Sequence, residues 1–216
     1  MTGLRSPYTG IQDGQKIYYG GNQQLSDRDI IKKCGCGIVA AADVSIYMQR
    51  RGHCAKSVPS PLPLSRYNSF LRFLNNRYFP LIPGAGLNAF ALAAGMNLYF
   101  RHKSMHCRAR WCFSGGRLYS RIEAQLSADI PVILSVGPNF PFLWQKNRLN
   151  LYLRSGENFS KYCSTKAHFV TVTGIDEKML RISSWGRELY IERDEFTEYT
   201  KSHSCSFLCN MLQISE

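Results

Sequence analysis

The residue with the most distinctive chemical setting in this sequence is Cys36, which stands directly before a predicted buried helix. From Gly37 to about Arg50 the residues are almost all apolar or small, as in a helix that is buried on most sides. Unpaired N–H groups and the helix dipole at such an N-terminus favour a thiolate. Cys36 is therefore a candidate nucleophile for acyl-transfer chemistry. The alternative is that it is simply a small residue of the core.

The segment Gly35–Val44, with the sequence GCGIVAAADV, resembles the nucleophile helix of papain-like cysteine peptidases. It is similar above all to the bacterial branch that processes bacteriocin leaders, where the run reads roughly Gly-Cys-Gly-x-x-Ala-x-Ala-Asn-Val. Tyr47 and Met48 match a later tyrosine and aliphatic residue of that pattern. The resemblance selects Cys36 rather than Cys34, because Cys34 would put the second glycine and the alanines out of phase.

The same resemblance implies that His168 is the catalytic base. The family places its histidine at the start of a late strand, in a form like Gly-His-Tyr-Val-Val-Val-Thr-Gly, and residues 166–174 read KAHFVTVTG. A histidine beside a thiol can take its proton and later protonate a leaving amine. The other four of the five histidines lack such a context and are expected on the surface or in the core. For His168 too, an ordinary core position is the alternative.

The third member of the site is where the chain departs from the family pattern. Similar enzymes orient the imidazole with Asn or Asp, often in Asn-Ser-Trp-Gly, whereas residues 183–186 read SSWG. Ser183 stands where the asparagine would be, while Trp185 and Gly186 match the tryptophan and glycine of that pattern. A serine hydroxyl can accept the histidine N–H, but it is shorter and uncharged, so we expect a more loosely oriented imidazole.

A tetrahedral oxyanion needs preorganised N–H donors. The backbone N–H of Cys36 is one candidate by position. The family's second donor is an upstream glutamine side chain, for which Gln23 is the best match and Gln24 the neighbour to exclude. The alternative is that these residues form an ordinary polar turn.

Helical patterns dominate about residues 30–130 and strand patterns about residues 131–216, which indicates an α+β fold. No internal repeat or long linker interrupts the chain, so residues 1–216 are predicted to form a single domain. The resemblance implies a papain-like fold, with N-terminal helices packed on a C-terminal antiparallel sheet. We expect Ser65 to cap a second helix, and residues 137–162 to form an insertion or a lid-like loop. The predicted strands of the sheet part are Pro131–Val136, His168–Gly174, Leu180–Ser184 and Glu188–Glu192.

The bulk composition restricts the possible partners. The net charge of +12 suits an acidic partner, but the basic residues are scattered and no nucleic-acid motif is present, so nucleic-acid binding is not expected. No run of apolar residues is long enough for a membrane span, and no secretory signal is visible. We therefore expect a cytoplasmic location, unless the chain has been trimmed. The eight cysteines show no paired zinc-type spacing, so no metal and no cofactor is predicted, and the thiols are expected to be reduced.

Together these observations predict a cysteine peptidase-like thiol hydrolase that cleaves a peptide or amide substrate through an acyl-enzyme on Cys36, and the basic charge suits an acidic substrate. Two alternatives remain open. An acyltransferase would use the same Cys–His pair with an amine acceptor, and a catalytically weak relative would bind a peptide or partner protein. The serine at position 183 is the feature that favours the weak relative.

Overall fold

The structure is a computed structural model that describes residues 1–51, 61–84, 86–113 and 116–216. It has a mixed α+β architecture in which helices pack against a large antiparallel sheet. The helices are α1 (Asp29–Cys34), α2 (Cys36–Arg51), α3 (Leu64–Arg77), α4 (Ala89–His102), α5 (Leu118–Ser127) and α6 (Arg193–His203), with a 3₁₀ turn at Gln23–Leu25. The strands are β1 (Thr2–Gly3), β2 (Gly10–Asp13), β3 (Lys16–Tyr19), β4 (Leu62–Pro63), β5 (Arg108–Trp111), β6 (Val132–Val136), β7 (Leu149–Ser155), β8 (Asn158–Thr165), β9 (His168–Ile175), β10 (Met179–Ser184), β11 (Arg187–Glu192) and β12 (Met211–Ser215).

In the described part of the chain the large sheet has nine strands, and β9 lies near its middle. The strand order is β5-β12-β6-β9-β10-β11-β7-β8, with β1 also paired to β9. Val136 at the end of β6 pairs with His168 at the start of β9, and Ser183 of β10 pairs with Thr171. A second, small sheet joins β3, β2 and β4. His168 is therefore held by a central strand with hydrogen-bonded neighbours on both sides.

Two apolar cores cover the two faces of the large sheet. Alternation along β6 sends Ile133 into the core shared with α2, α3 and α4, and Leu134 into the core shared with α5 and α6. On β9, Phe169 packs on the first core and Val170 belongs to the second. Because both faces are covered, helix α2 is buried along most of its length, as its sequence predicts.

A glycine sets the point where α2 begins. The N–H of Gly35 bonds to the carbonyl oxygen of Ile31 and so ends α1. A Cβ atom at residue 35 would lie 2.4 Å from that same oxygen, so no larger residue fits there without a shift. The two helices are thus joined at Gly35. Cys34 becomes the last residue of α1 and Cys36 the first residue of α2.

Two expectations about elements are wrong. Ser65 does not cap α3, because the helix already begins at Leu64 and its N-cap position is Pro63. Residues 137–162 are only partly a loop, since residues 149–162 belong to the β7–β8 hairpin at the edge of the sheet. The aromatic, glycine and polar content of this segment hid its weak strand alternation.

None of the helices in the described ranges is long and apolar enough to cross a lipid bilayer. The seven cysteines within those ranges are all free thiols, and Cys54 lies outside them.

Candidate functional site

Helix α2 places the Cys36 thiol at its N-terminus, against the beginning of β9. The backbone N–H groups of Phe169, Gly37 and Cys36 itself lie close to the sulfur and favour its thiolate form. Phe169 directly follows His168, so the thiol lies beside the backbone of the predicted base. Burial raises the pKa of the Cys36 thiol, and the N–H groups only partly oppose that rise. The resting residue is therefore a neutral thiol, contrary to the thiolate that its position at a helix N-terminus suggested.

His168 is buried at the first position of β9, with 8% of its surface exposed. Its Nε2 atom lies 2.8 Å from the Ser184 hydroxyl oxygen. The Trp185 indole stacks on the imidazole with ring centroids 4.6 Å apart and an interplanar angle of 15°. Burial lowers the pKa of His168 to about 4. At neutral pH the ring is consequently an uncharged imidazole that is able to accept a proton.

The hydroxyl beside the imidazole belongs to Ser184, so the predicted contact from Ser183 is wrong. The Ser183 hydroxyl instead donates to the Tyr19 carbonyl oxygen at 2.8 Å. The reason is strand alternation. Ser184 shares the face of Ile182, whereas Ser183 faces the side of Thr171 and helix α2. The Trp185 indole covers the ring from a turn in which its own φ is 50° and that of Gly186 is 71°.

Gln23 lies at the same cavity as Cys36 and His168, whereas Gln24 does not line it. The Gln23 side chain donates from Nε2 to the Lys32 carbonyl oxygen of α1 at 2.8 Å. This bond uses one of the two N–H groups of the amide, so the second remains able to donate. Gln24 donates to the same carbonyl oxygen from an exposed position at 3.2 Å.

A buried carboxyl group that the sequence reasoning missed lies below the pair. Asp43 is 1% exposed and accepts hydrogen bonds from the Gly21 N–H at 2.8 Å, the Tyr67 hydroxyl at 2.8 Å and the Tyr8 hydroxyl at 3.2 Å. Burial raises its pKa to about 6 against these bonds. The signal was its i, i+7 spacing from Cys36, which puts both residues on one face of α2.

These side chains meet at one internal cavity. It is lined from α2 by Cys36, Val39, Ala40 and Asp43, from the segment after β3 by Gly21 and Gln23, from β9 by His168, Phe169, Val170 and Thr171, and from β10 and its turn by Ser183, Ser184 and Trp185. Within the described parts of the chain, no three His, Cys, Asp or Glu side chains are grouped so that they could hold a metal ion. The arrangement offers a nucleophile, a base and several hydrogen-bond donors.

Comparison of the chain with protein-family models, with curated proteins and with solved structures gave no match. The resemblance to papain-like peptidases consequently depends on the motifs around Cys36, His168 and Trp185 and on the geometry described above.

Proposed function

We propose that this protein is a papain-like thiol hydrolase that cleaves a peptide or amide bond through an acyl-enzyme on Cys36. The supporting observation is the meeting of the α2 N-terminus with the first residues of β9, which brings Cys36 and His168 to one cavity. The packing of the N-terminal helices on an antiparallel sheet accords with the papain-like arrangement.

Acylation in this proposal starts from the uncharged pair. Ser184 engages Nε2 of His168 on the sheet face opposite α2, so the proposal requires the imidazole to rotate toward α2 at the start of β9, where Nδ1 takes the thiol proton. As that proton moves, the Cys36 sulfur forms a bond to the carbonyl carbon of the substrate, and an electron pair moves onto the carbonyl oxygen. The N–H groups around the sulfur and the second N–H of Gln23 are the nearest donors for this oxyanion.

The intermediate then collapses. The carbon–nitrogen bond breaks while the imidazolium of His168 gives its proton to the leaving amine. Water, with His168 again as base, attacks the thioester carbon, and the carbon–sulfur bond breaks to release the acid and restore the thiol. The Ser184 contact and the stacked Trp185 indole hold the ring at rest, before and after the proton transfers. They are positioning residues in this mechanism.

The catalytically weak, peptide-binding relative is supported by one observation. A buried imidazole with a pKa of about 4 is a weak base, and its only described side-chain partner for Nε2 is a neutral hydroxyl. Such a pair supports an imidazolium less well than a carboxylate-assisted pair does. Turnover is therefore the quantity that separates the two functions.

The test is a peptide-library cleavage assay on purified wild type, on His168→Ala and on two matched pairs of variants. Cys36→Ala and His168→Ala should each lower turnover by about a thousandfold or more, because the nucleophile or its base is lost. Cys34→Ala, which removes a thiol from the end of α1, is the control for Cys36→Ala and should keep wild-type turnover.

The second pair tests the orientation of the ring. Ser184→Ala should lower kcat about tenfold, because it releases Nε2 of His168. Ser183→Ala removes the bond to the Tyr19 carbonyl and an interaction with the Tyr8 hydroxyl, neither of which involves His168, and should change stability by about 1 to 2 kcal/mol with little effect on kcat. Specific peptide binding without cleavage, unaffected by Cys36→Ala, would replace the hydrolase with the binding relative.

A further inference from the structure

The loop of residues 137–148 between β6 and β7, here named the aromatic loop, exposes four large apolar side chains. Phe140 is 50% exposed, Phe142 49%, Leu143 65% and Trp144 75%. Phe142 and Trp144 contact each other with ring centroids 5.2 Å apart. Isolated exposed apolar residues are common, but a contiguous group of this size on one loop marks an interaction surface.

The base of the aromatic loop is firmly held, so the exposure of its tip is a property of an ordered loop. Asn139 is 1% exposed and donates to the Asn147 carbonyl and the Tyr199 hydroxyl. The N–H of Phe140 bonds to the His203 carbonyl, and the Ser204 hydroxyl donates to Pro138. Each of these bonds involves the base of the loop, and none depends on the side chains at the tip.

The charges carried by the aromatic loop itself are of one sign. The aromatic loop contains Lys146 and Arg148 and no carboxylate. Lys166 reaches it from the β8–β9 turn and donates to the Gln145 carbonyl at 2.9 Å. Over residues 131–170 the charged side chains are the cations Lys146, Arg148, Arg154, Lys161 and Lys166 and the single acid Glu157. Two acids of helix α6 accept local hydrogen bonds, Glu195 from the Tyr152 hydroxyl and Glu198 from the Ser202 hydroxyl.

We propose that the aromatic loop docks the protein on an anionic lipid surface. Tryptophan, phenylalanine and leucine insert into the boundary between headgroups and acyl chains, while flanking cations attract acidic headgroups. The complementary charge argues for this occupant, since a neutral apolar partner would gain nothing from the cations. The loop starts at Gly137, whose carbonyl accepts the N–H of Ala167, so docking would bring the membrane close to His168. The proposal does not depend on the chemistry at Cys36.

Tryptophan fluorescence provides a specific probe. Of the three tryptophans, Trp111 is 2% exposed and Trp185 is covered against His168, so Trp144 alone is largely exposed to water. Wild type is titrated with vesicles of phosphatidylcholine alone and with vesicles that also contain phosphatidylglycerol, and binding is measured by emission and by co-sedimentation. We expect a blue shift and co-sedimentation with the phosphatidylglycerol vesicles that weaken as salt is added.

Leu143→Ala and Leu98→Ala form a matched pair, since both remove an exposed leucine and only Leu143 is in the aromatic loop. Leu98 is 50% exposed and lies on α4. Leu143→Ala should weaken vesicle binding by about tenfold, and Lys146→Gln should lower the preference for phosphatidylglycerol, while Leu98→Ala should bind as wild type.

Three results would overturn the proposal. The first is equal or absent binding to both kinds of vesicle. The second is vesicle binding that Leu143→Ala leaves unchanged. The third is that the aromatic loop contacts protein or peptide instead of lipid. Wild type would then self-associate, or Leu143→Ala would raise the KM for a soluble peptide, and no vesicle binding would be seen.

Discussion

At the level of single residues, burial controls the protonation of the candidate site. His168 and Asp43 line the same cavity, and their pKa values shift in directions that favour their uncharged forms. In both cases the largest cause of the pKa shift is the removal of the charged form from water. At neutral pH the His168 imidazole and the Cys36 thiol are therefore uncharged, whereas Asp43, with a pKa of about 6, is mostly a carboxylate, and a reaction must create new charge at Cys36 and His168.

These shifts predict opposite effects on stability between pH 4 and 6. The pKa of His168 falls from 6.5 to about 4 on folding, so the unfolded chain binds more protons and stability rises with pH across this window. The pKa of Asp43 rises from 3.8 to about 6, so the folded chain binds more protons and stability falls with pH. Each contribution amounts to about 3 kcal/mol over its full range, and the two nearly cancel.

Variants should separate the two contributions. In Asp43→Asn the free energy of unfolding should rise with pH from about 4 to 6.5, and in His168→Asn it should fall from about 4 to 6. Denaturant unfolding at a series of pH values measures both slopes. Ser183→Ala, a buried polar change at the same cavity that removes no titrating group, should shift stability equally at every pH. Parallel curves for all three variants would contradict these pKa assignments.

At the level of elements, the segment after β3 is clamped between α2 and the turn that carries Trp185. Gly21 donates its N–H to Asp43 of α2, and its carbonyl accepts the N–H of Gly186. A Cβ atom at residue 21 would lie 1.9 Å from the Tyr67 hydroxyl oxygen and 2.8 Å from a methyl group of Val39. This close approach keeps Gln23 at the cavity and supports the indole that covers His168.

Gly21→Ala should therefore damage both stability and the site. We expect a loss of about 3 kcal/mol in the free energy of unfolding, because the added methyl group must displace a buried tyrosine or the helix. Gly10→Ala is the matched control in β2, where the new Cβ would make only ordinary contacts at 3.4 Å or more. Thermal unfolding and turnover of the two variants provide the comparison. A Gly21→Ala protein as stable as Gly10→Ala would show that the segment is not clamped.

At the level of the whole molecule, the large sheet is completed by segments that are distant in sequence. Strand β12 lies between β5 and β6, and Met211, Leu212 and Ile214 are fully buried in it. Gln125 of α5 bonds to both the N–H and the carbonyl of Ile214 at 2.8 Å. Without β12, strand β5 would lose the strand that it pairs with, and the core residues on both faces of the sheet beside β12 would be exposed.

Deletion of residues 211–216 should accordingly abolish cooperative unfolding, because it removes a strand that is paired on both sides and three buried side chains, each worth about 2 to 5 kcal/mol. Deletion of Glu216 alone removes only a partly exposed ion pair with Arg51 and should cost less than about 1 kcal/mol. Circular dichroism and thermal unfolding of both truncated chains test this. A cooperatively folded chain without β12 would contradict the proposed dependence of the sheet on this strand.

The sequence by itself determined the features that depend on neighbouring residues. The buried pattern after Gly37 predicted helix α2, and the apolar runs after His168 and before Trp185 predicted strands β9 and β10, because periodicity and glycine signals act locally. Only the tertiary structure decided that Ser184 rather than Ser183 contacts His168. Neighbouring residues of a strand point to opposite faces of the sheet, and only the packing shows which face each residue is on. The tertiary structure also decided that burial outweighs the helix N-terminus at Cys36, and that Asp43 lies beneath the pair, because desolvation depends on the whole fold.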